Sequence, residues 1–134
     1  MHILKVLAVV FISFGVLGCQ VKSERDAPIK LSAAEIKTLF IGKTVESFNL
    51  VNGNTSFTYY ADNGRAYQER YWESRSGKWK INDKAEMCLS IQSKPFSCRN
   101  IYRLGDKYYK YRMNDGGQME RIVRYRQFIE GKSF

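Results

Sequence analysis

GKWKINDKAEMCLSIQSKPFSCRNIYRLGDKYYKY, residues 77–111, is the stretch that decides how this chain folds. It carries one of the two Trp residues, two of the three Cys and four of the nine Tyr, in short runs cut by turn residues. Trp79 and Ile81 alternate with Lys78, Lys80 and Asn82, and Ala85, Met87, Leu89 and Ile91 alternate with Glu86, Cys88 and Ser90. A period of two sends successive side chains to opposite faces of a strand. The stretch therefore reads as the centre of an antiparallel sheet, with Cys88 bonded to Cys98.

The same pattern extends in both directions. Candidate strands cover 44–51, 56–61, 66–74, 78–82, 85–91, 96–104, 107–113 and 119–128, divided by Asn52-Gly53, Asn63-Gly64, Ser76-Gly77, Asn82-Asp83, residues 92–95, Gly105-Asp106 and Asp115-Gly116-Gly117. Most of these connections are of hairpin length, which pairs neighbours antiparallel, whereas parallel pairing needs a long crossover. The expected fold is mostly all-β: an up-and-down meander of about eight strands forming a small barrel or a strongly curved sheet. Alternation fails in the last strand, where Val123 and Tyr125 take one side and Ile122 and Phe128 the other; a bulge or burial on both faces would produce this. A turn on Gln92-Ser93-Lys94 would set the two Cys directly opposite. Yet Cys88 lies on the polar side of its strand and Cys98 shares parity with Phe96, Tyr102 and Leu104, so a bulge or a wider loop is expected there.

One short N-terminal helix precedes the strands. Ser32 followed by Glu35 forms a capping box, and Leu31 and Ile36 stand at the positions of a hydrophobic staple. Ile36, Leu39 and Phe40 share one face, and Gly42 supplies a left-handed stop. A helix this short is marginal alone, so its apolar face is expected to dock on the sheet.

The first residues carry an address. A short basic leader, an apolar run over 6–17 interrupted by Ser13 and Gly15, and a small residue before the cut have the form of a secretory signal. The run is shorter than the ~20 residues needed to span a bilayer. Val16-Leu17-Gly18-Cys19 resembles the bacterial lipobox, which implies cleavage before Cys19 and diacylation of its thiol. Ordinary signal cleavage nearby is the alternative. Acylation of Cys19 leaves Cys88 and Cys98 as an even pair in an oxidising compartment, so all three sulfurs are accounted for. Two or more acyl chains anchor stably where one does not. Gln20 after the cysteine, by resemblance to enterobacterial lipoproteins, implies an outer-membrane lipoprotein facing the periplasm. The expected organisation is a signal peptide over 1–18, a lipid-anchored tether over 19–30 and a single β domain over 31–134.

Composition restricts the chemistry. His2 is the only histidine and leaves with the signal, so the mature chain has no imidazole for a catalytic triad, a Cys/His dyad or a His-ligated zinc. With the disulfide formed, no thiol remains as a nucleophile. No enzyme activity, metal or cofactor is expected, and Asp115-Gly116-Gly117 lies between strands rather than before a phosphate-binding helix. Carboxylate pairs such as Glu69 with Glu73, or Asp62 with Asp83, keep a glycan hydrolase open as the least favoured reading.

Charge is the remaining signal. The chain has 22 basic and 13 acidic side chains, a net +9. Arg99, Arg103, Lys110, Arg112, Arg121, Arg124 and Arg126 fall late in the sequence, interleaved with Tyr102, Tyr108, Tyr109, Tyr111 and Tyr125. Such surfaces attract anionic polymers and membranes. Nucleic acid is the usual partner of basic–aromatic interleaving, but export argues against it. The expectation is a binding module for lipopolysaccharide, peptidoglycan or a protein partner through this face. The alternatives are a solvated outer surface and a periplasmic inhibitor of a hydrolase.

Several of these motifs also resemble a family of small exported proteobacterial proteins known as domain-of-unknown-function family 995. The matching pieces are Leu31-Ser32-Ala33-Ala34-Glu35-Ile36 leading to Gly42-Lys43-Thr44, the turn from Tyr60 to Gly64, Gly77-Lys78-Trp79, and Cys88 and Cys98 followed by Gly105 and Tyr108. Lys84-Ala85-Glu86 departs from the glycine-containing turn expected before the first Cys. The resemblance supports the disulfide pair and implies no activity.

Overall fold

The computed structural model describes residues 27–134; the signal segment, Cys19 and residues 20–26 of the tether lie outside the described residues. The chain forms β1 (Ile29–Lys30), α1 (Ala33–Phe40), β2 (Lys43–Asn49), β3 (Thr55–Tyr60), β4 (Arg65–Arg70), β5 (Glu73–Ile81), β6 (Met87–Ile91), β7 (Ser97–Arg99), β8 (Ile101–Leu104), β9 (Lys107–Met113) and β10 (Met119–Glu130). All ten strands belong to one antiparallel sheet in the order β1-β8-β9-β10-β2-β3-β4-β5-β6-β7. β7 and β8 stand far apart in that order, yet only Asn100 separates them in the chain. The sheet therefore curls until its far strands are joined by one residue. The segment expected as a single strand over 96–104 divides at that residue: its first half pairs with β6 and its second with β9. Ile29 and Lys30, at the end of the tether, pair with Arg103 and Tyr102.

The helix forms as its local chemistry dictates. The Glu35 N–H donates to Ser32 Oγ at 3.2 Å, and the Ser32 N–H donates to Glu35 Oε1 at 3.1 Å. Gly42, at φ 71°, turns the chain into β2 and donates its N–H to the Tyr60 carbonyl at 2.7 Å. Ile36 and Phe40 are fully buried. Phe40 meets the rings of Tyr60 and Tyr125 at 5.1 Å and Phe128 at 5.4 Å, each edge to face. The helix is thus a plug in one end of the curl. Leu31, Val45, Ala66, Trp79, Met87 and Ile101 complete the core around it, and the Trp79 indole N–H donates to the Ala61 carbonyl at 2.8 Å.

One turn lies where the residue types did not put it. Ser76-Gly77 is not a turn but the middle of β5; the hairpin turns at Tyr71-Trp72, with φ of 51° and 63°. Gly77 is needed for proximity instead: a Cβ there would stand 1.8 Å from the Ser90 carbonyl oxygen on β6. The irregular last strand has its bulges, with register shifts at Ile122 against β9 and at Arg126 against β2. The disulfide joins Cys88 to Cys98, which are directly paired. The turn closes from the Lys94 N–H to the Ile91 carbonyl, while the ladder pairs Leu89 with Ser97. The return strand therefore carries one extra residue, and the two Cys stand directly opposite, the register a turn on Gln92-Ser93-Lys94 gives and not the displaced one that their parity suggested. No helix among the described residues is long and apolar enough to cross a membrane.

Candidate functional site

Inward-facing side chains grade from apolar to polar with distance from the helix. Along β2 they run Val45, Ser47, Asn49; along β3, Tyr60, Thr58, Ser56; along β4, Ala66, Gln68, Arg70; and along β9, Tyr108, Lys110. Beyond Tyr60 and Tyr125 the interior holds a cavity of about 90 Å³ lined by these polar groups, with Arg70 and Lys110 as its charged residues. No carboxylate lines it.

The neutral groups form a directed relay. Arg75 Nη2 donates to Gln68 Oε1 at 2.6 Å, and Gln68 Nε2 donates to Thr58 Oγ1 at 3.1 Å. Thr58 lies beside the Tyr60 phenol, and its hydroxyl lowers the energy of the ionised ring. Guanidinium only donates, so the direction is set from Arg75 inward through Gln68 to the Thr58 hydroxyl. Burial pushes the Tyr60 phenol well above its ordinary range, partly opposed by the Thr58 hydroxyl, and does the same at Tyr125 with Tyr60 beside it.

Lys110 pairs with Ile101 on one side and Val123 on the other, and has no ion pair among the described residues. Burial, aided by Arg99 nearby, lowers its ammonium from 10.5 to about 8. Between pH 8 and 10.5 the unfolded chain holds a Lys110 proton that the folded chain lacks, so stability rises with pH from 8 to about 10. Above about 10 the sign reverses, because Tyr60 and Tyr125 ionise first in the unfolded chain. Below pH 8 the folded state carries the whole cost of a desolvated cation. Lys110→Met is therefore expected to raise stability at pH 7 by about 2 kcal/mol. Urea melts should show the gain at pH 7 shrinking toward pH 10; a variant no more stable than the parent at pH 7 would mean the ammonium is already compensated.

The late basic residues do not form one surface. Lys110 faces inward, with Arg99 close enough to lower its ammonium, and the Arg99 guanidinium donates to the Cys98 carbonyl at 2.9 Å. Arg103 donates to the Gly105 carbonyl at 3.1 Å. Arg112 is paired with Glu120 at 2.6 Å. Arg126 holds Glu46 at 3.2 Å and Thr55 at 2.8 Å, over the ring of Phe48 at 4.6 Å. Arg121 and Arg124 stand on the outer face beside a tyrosine cluster: Tyr102 meets Tyr111 at 4.8 Å, Tyr109 meets Tyr111 at 6.3 Å, and Arg121 lies 5.0 Å over Tyr109. Burial raises the Tyr111 phenol, with Arg121 opposing.

A second basic surface lies over β4, β5 and β6. Arg65 and Lys78 are directly paired, and with Lys94 and Phe96 they line a cleft of about 620 Å³ that contains no carboxylate. Lys80 sits 4.4 Å over Phe96 at its side. Like charges directly opposed across strands are destabilising, so this cluster is not there for stability. The alternation of Lys78 and Lys80 with Trp79 and Ile81 was the signal for it, overshadowed by the denser run of Arg later in the chain. Glu69, Glu73, Asp62 and Asp83 line neither this cleft nor the interior cavity; Glu69 accepts from the Ser74 hydroxyl at 3.5 Å. Among the described residues no group of three or more Cys, Asp or Glu side chains gathers as metal ligands would.

Fold and surface together define a small disulfide-bonded, curled antiparallel sheet, plugged at one end by a helix and cationic both inside and out. Comparisons with protein-family models, curated proteins and solved structures returned no match, so the resemblance to family 995 rests on its quoted motifs alone.

Proposed function

We propose that this protein is a non-enzymatic, lipid-anchored envelope module that binds an anionic component of the cell envelope through its basic outer surface. The cleft over β4–β6 carries the reading: Arg65, Lys78 and Lys94 converge there beside Phe96, without a carboxylate to neutralise them. Lipopolysaccharide phosphates and peptidoglycan carboxylates both suit it. An outer-membrane lipoprotein facing the periplasm, the address that the sequence implies, would have such polymers within reach. The tyrosine cluster with Arg121 and Arg124 provides a further contact on the far side of the sheet.

Co-sedimentation with peptidoglycan, and separately with lipopolysaccharide vesicles, tests this. Binding to one of them should fall at least tenfold from 50 to 500 mM salt, because exposed charges are screened over a Debye length of roughly 10 Å at 0.1 M. Lys78→Glu with Lys94→Glu should weaken it at low salt. Binding that ignores both salt and charge reversal would remove the electrostatic basis of the proposal.

A further inference from the structure

We propose that the polar half of the interior is a second, separate site that binds one small oxyanion, held between Lys110 and Arg70 and capped by the Tyr60 hydroxyl. This goes beyond the outer-surface reading and does not depend on it. Lys110 on β9 and Arg70 on β4 come from strands well separated in the sheet, yet they line the same cavity. Lys110 is half-buried, and a cation drawn out of water with no ion-pair partner among the described residues costs stability unless something anionic accompanies it. The paired positions, Ile101 and Val123, are apolar, so an aliphatic residue at 110 would simply continue the core.

The relay points the same way. Its first member can only donate, so the bonds from Arg75 to Gln68 and from Gln68 to Thr58 both run toward the cavity, which the Tyr60 phenol also lines. The Tyr60 phenol stays protonated because burial opposes its ionisation. Two cations and a donor relay ending in one space are complementary to an acceptor-only ligand. Size sets the class: about 90 Å³ is the room of roughly three water molecules. That admits a phosphate, sulfate or carboxylate group.

Isothermal titration of the full-length protein with sodium sulfate, whose charge does not change with pH, provides the test. At pH 6.5 one sulfate should bind per chain, at least tenfold more weakly in Lys110→Met and several-fold more weakly in Arg70→Gln. Lys78→Glu should leave this site unchanged while weakening polymer binding, which separates the two readings. At pH 9.5 the wild-type affinity should drop by about tenfold. The groups facing Lys110 are two arginines, Arg70 and Arg99, whose side-chain type does not deprotonate in proteins, and two tyrosines, Tyr60 and Tyr125, that burial keeps neutral, so Lys110 is the group that changes state. Reciprocally, the Lys110 ammonium followed by NMR in unsubstituted protein should titrate about one unit higher when sulfate is bound. That reading needs no variant to fold. Butyl phosphate, with its headgroup on a chain, tells a free anion from the end of a larger ligand: rejection assigns the site to the former, equal affinity to the latter. Absence of saturable sulfate binding at tens of millimolar, equal binding by Lys110→Met, or an unmoved Lys110 titration would overturn the proposal.

Discussion

Phe40→Ala is expected to destabilise the protein by about 3–5 kcal/mol, the range for removing a buried aromatic ring from a packed core. Phe40 is fully buried and touches three other rings edge to face, on β3 and twice on β10. Those strands cannot close over the gap without breaking their ladders with β2, so the cavity should persist. The loss is also structural in a specific sense. Tyr60 and Tyr125 separate the apolar end from the polar cavity, and Phe40 is what they rest against. Equilibrium urea unfolding measures the effect, with Ile41→Ala as the comparison. Ile41 follows in the chain but is 37 % exposed, and its truncation should change stability by no more than about 0.5 kcal/mol. A loss below 1 kcal/mol for Phe40→Ala would mean that the helix lies on the sheet without plugging it.

Features decided within a few residues were legible in the sequence. The capping box involves Ser32 and Glu35 alone, and the Asn-Gly and Gly-Asp turns need only the backbone freedom of their own residues. Features decided by the closing of the sheet were not. Tyr71-Trp72 has no turn chemistry, and left-handed backbone at two aromatic residues is uncommon; the ladder between β4 and β5 imposes it. Gly77 was visible as a glycine, but its reason, the Ser90 carbonyl on the next strand, is a contact across the sheet. The break at Asn100 likewise has no local cause: residues on either side of it serve different neighbours.

The same distinction explains why the basic residues sort as they do. In β9 both faces carry aromatics, Tyr108 on one and Tyr109 and Tyr111 on the other. Composition therefore cannot say which face is inside, and Lys110 follows Tyr108 inward only once pairing with Ile101 and Val123 is known. Arg121 and Arg124 lie on either side of the bulge at Ile122, which returns both to the outer face despite their odd spacing. Charge could be counted from the sequence, but its neutralisation could not. Glu46 quenches Arg126, 80 residues away, and Glu120 quenches Arg112, eight residues back across a hairpin, and both pairings depend on register.

Removing the disulfide, by Cys88→Ala with Cys98→Ala, is expected to lower stability by a little under 3 kcal/mol. A ring closed over a sequence separation of 10 constrains the unfolded chain by about that much. The loss should not be spread evenly over the folded state. β7 has three residues and one ladder neighbour, β6, and the chain then crosses at Asn100 to a strand paired elsewhere. The sulfur bond thus pins the single place where the sheet returns on itself. Without it, β7 has only a few backbone hydrogen bonds to hold it, and opening there should precede global unfolding. Native-state hydrogen exchange distinguishes the two contributions: amides of β6 and β7 should lose protection well beyond the global change, while those of β2 and β3 should follow the global change alone. A uniform fall in protection would show that the bond acts only through the unfolded chain. It would also mean that ladder pairing and the helix plug, rather than the sulfurs, keep the sheet curled.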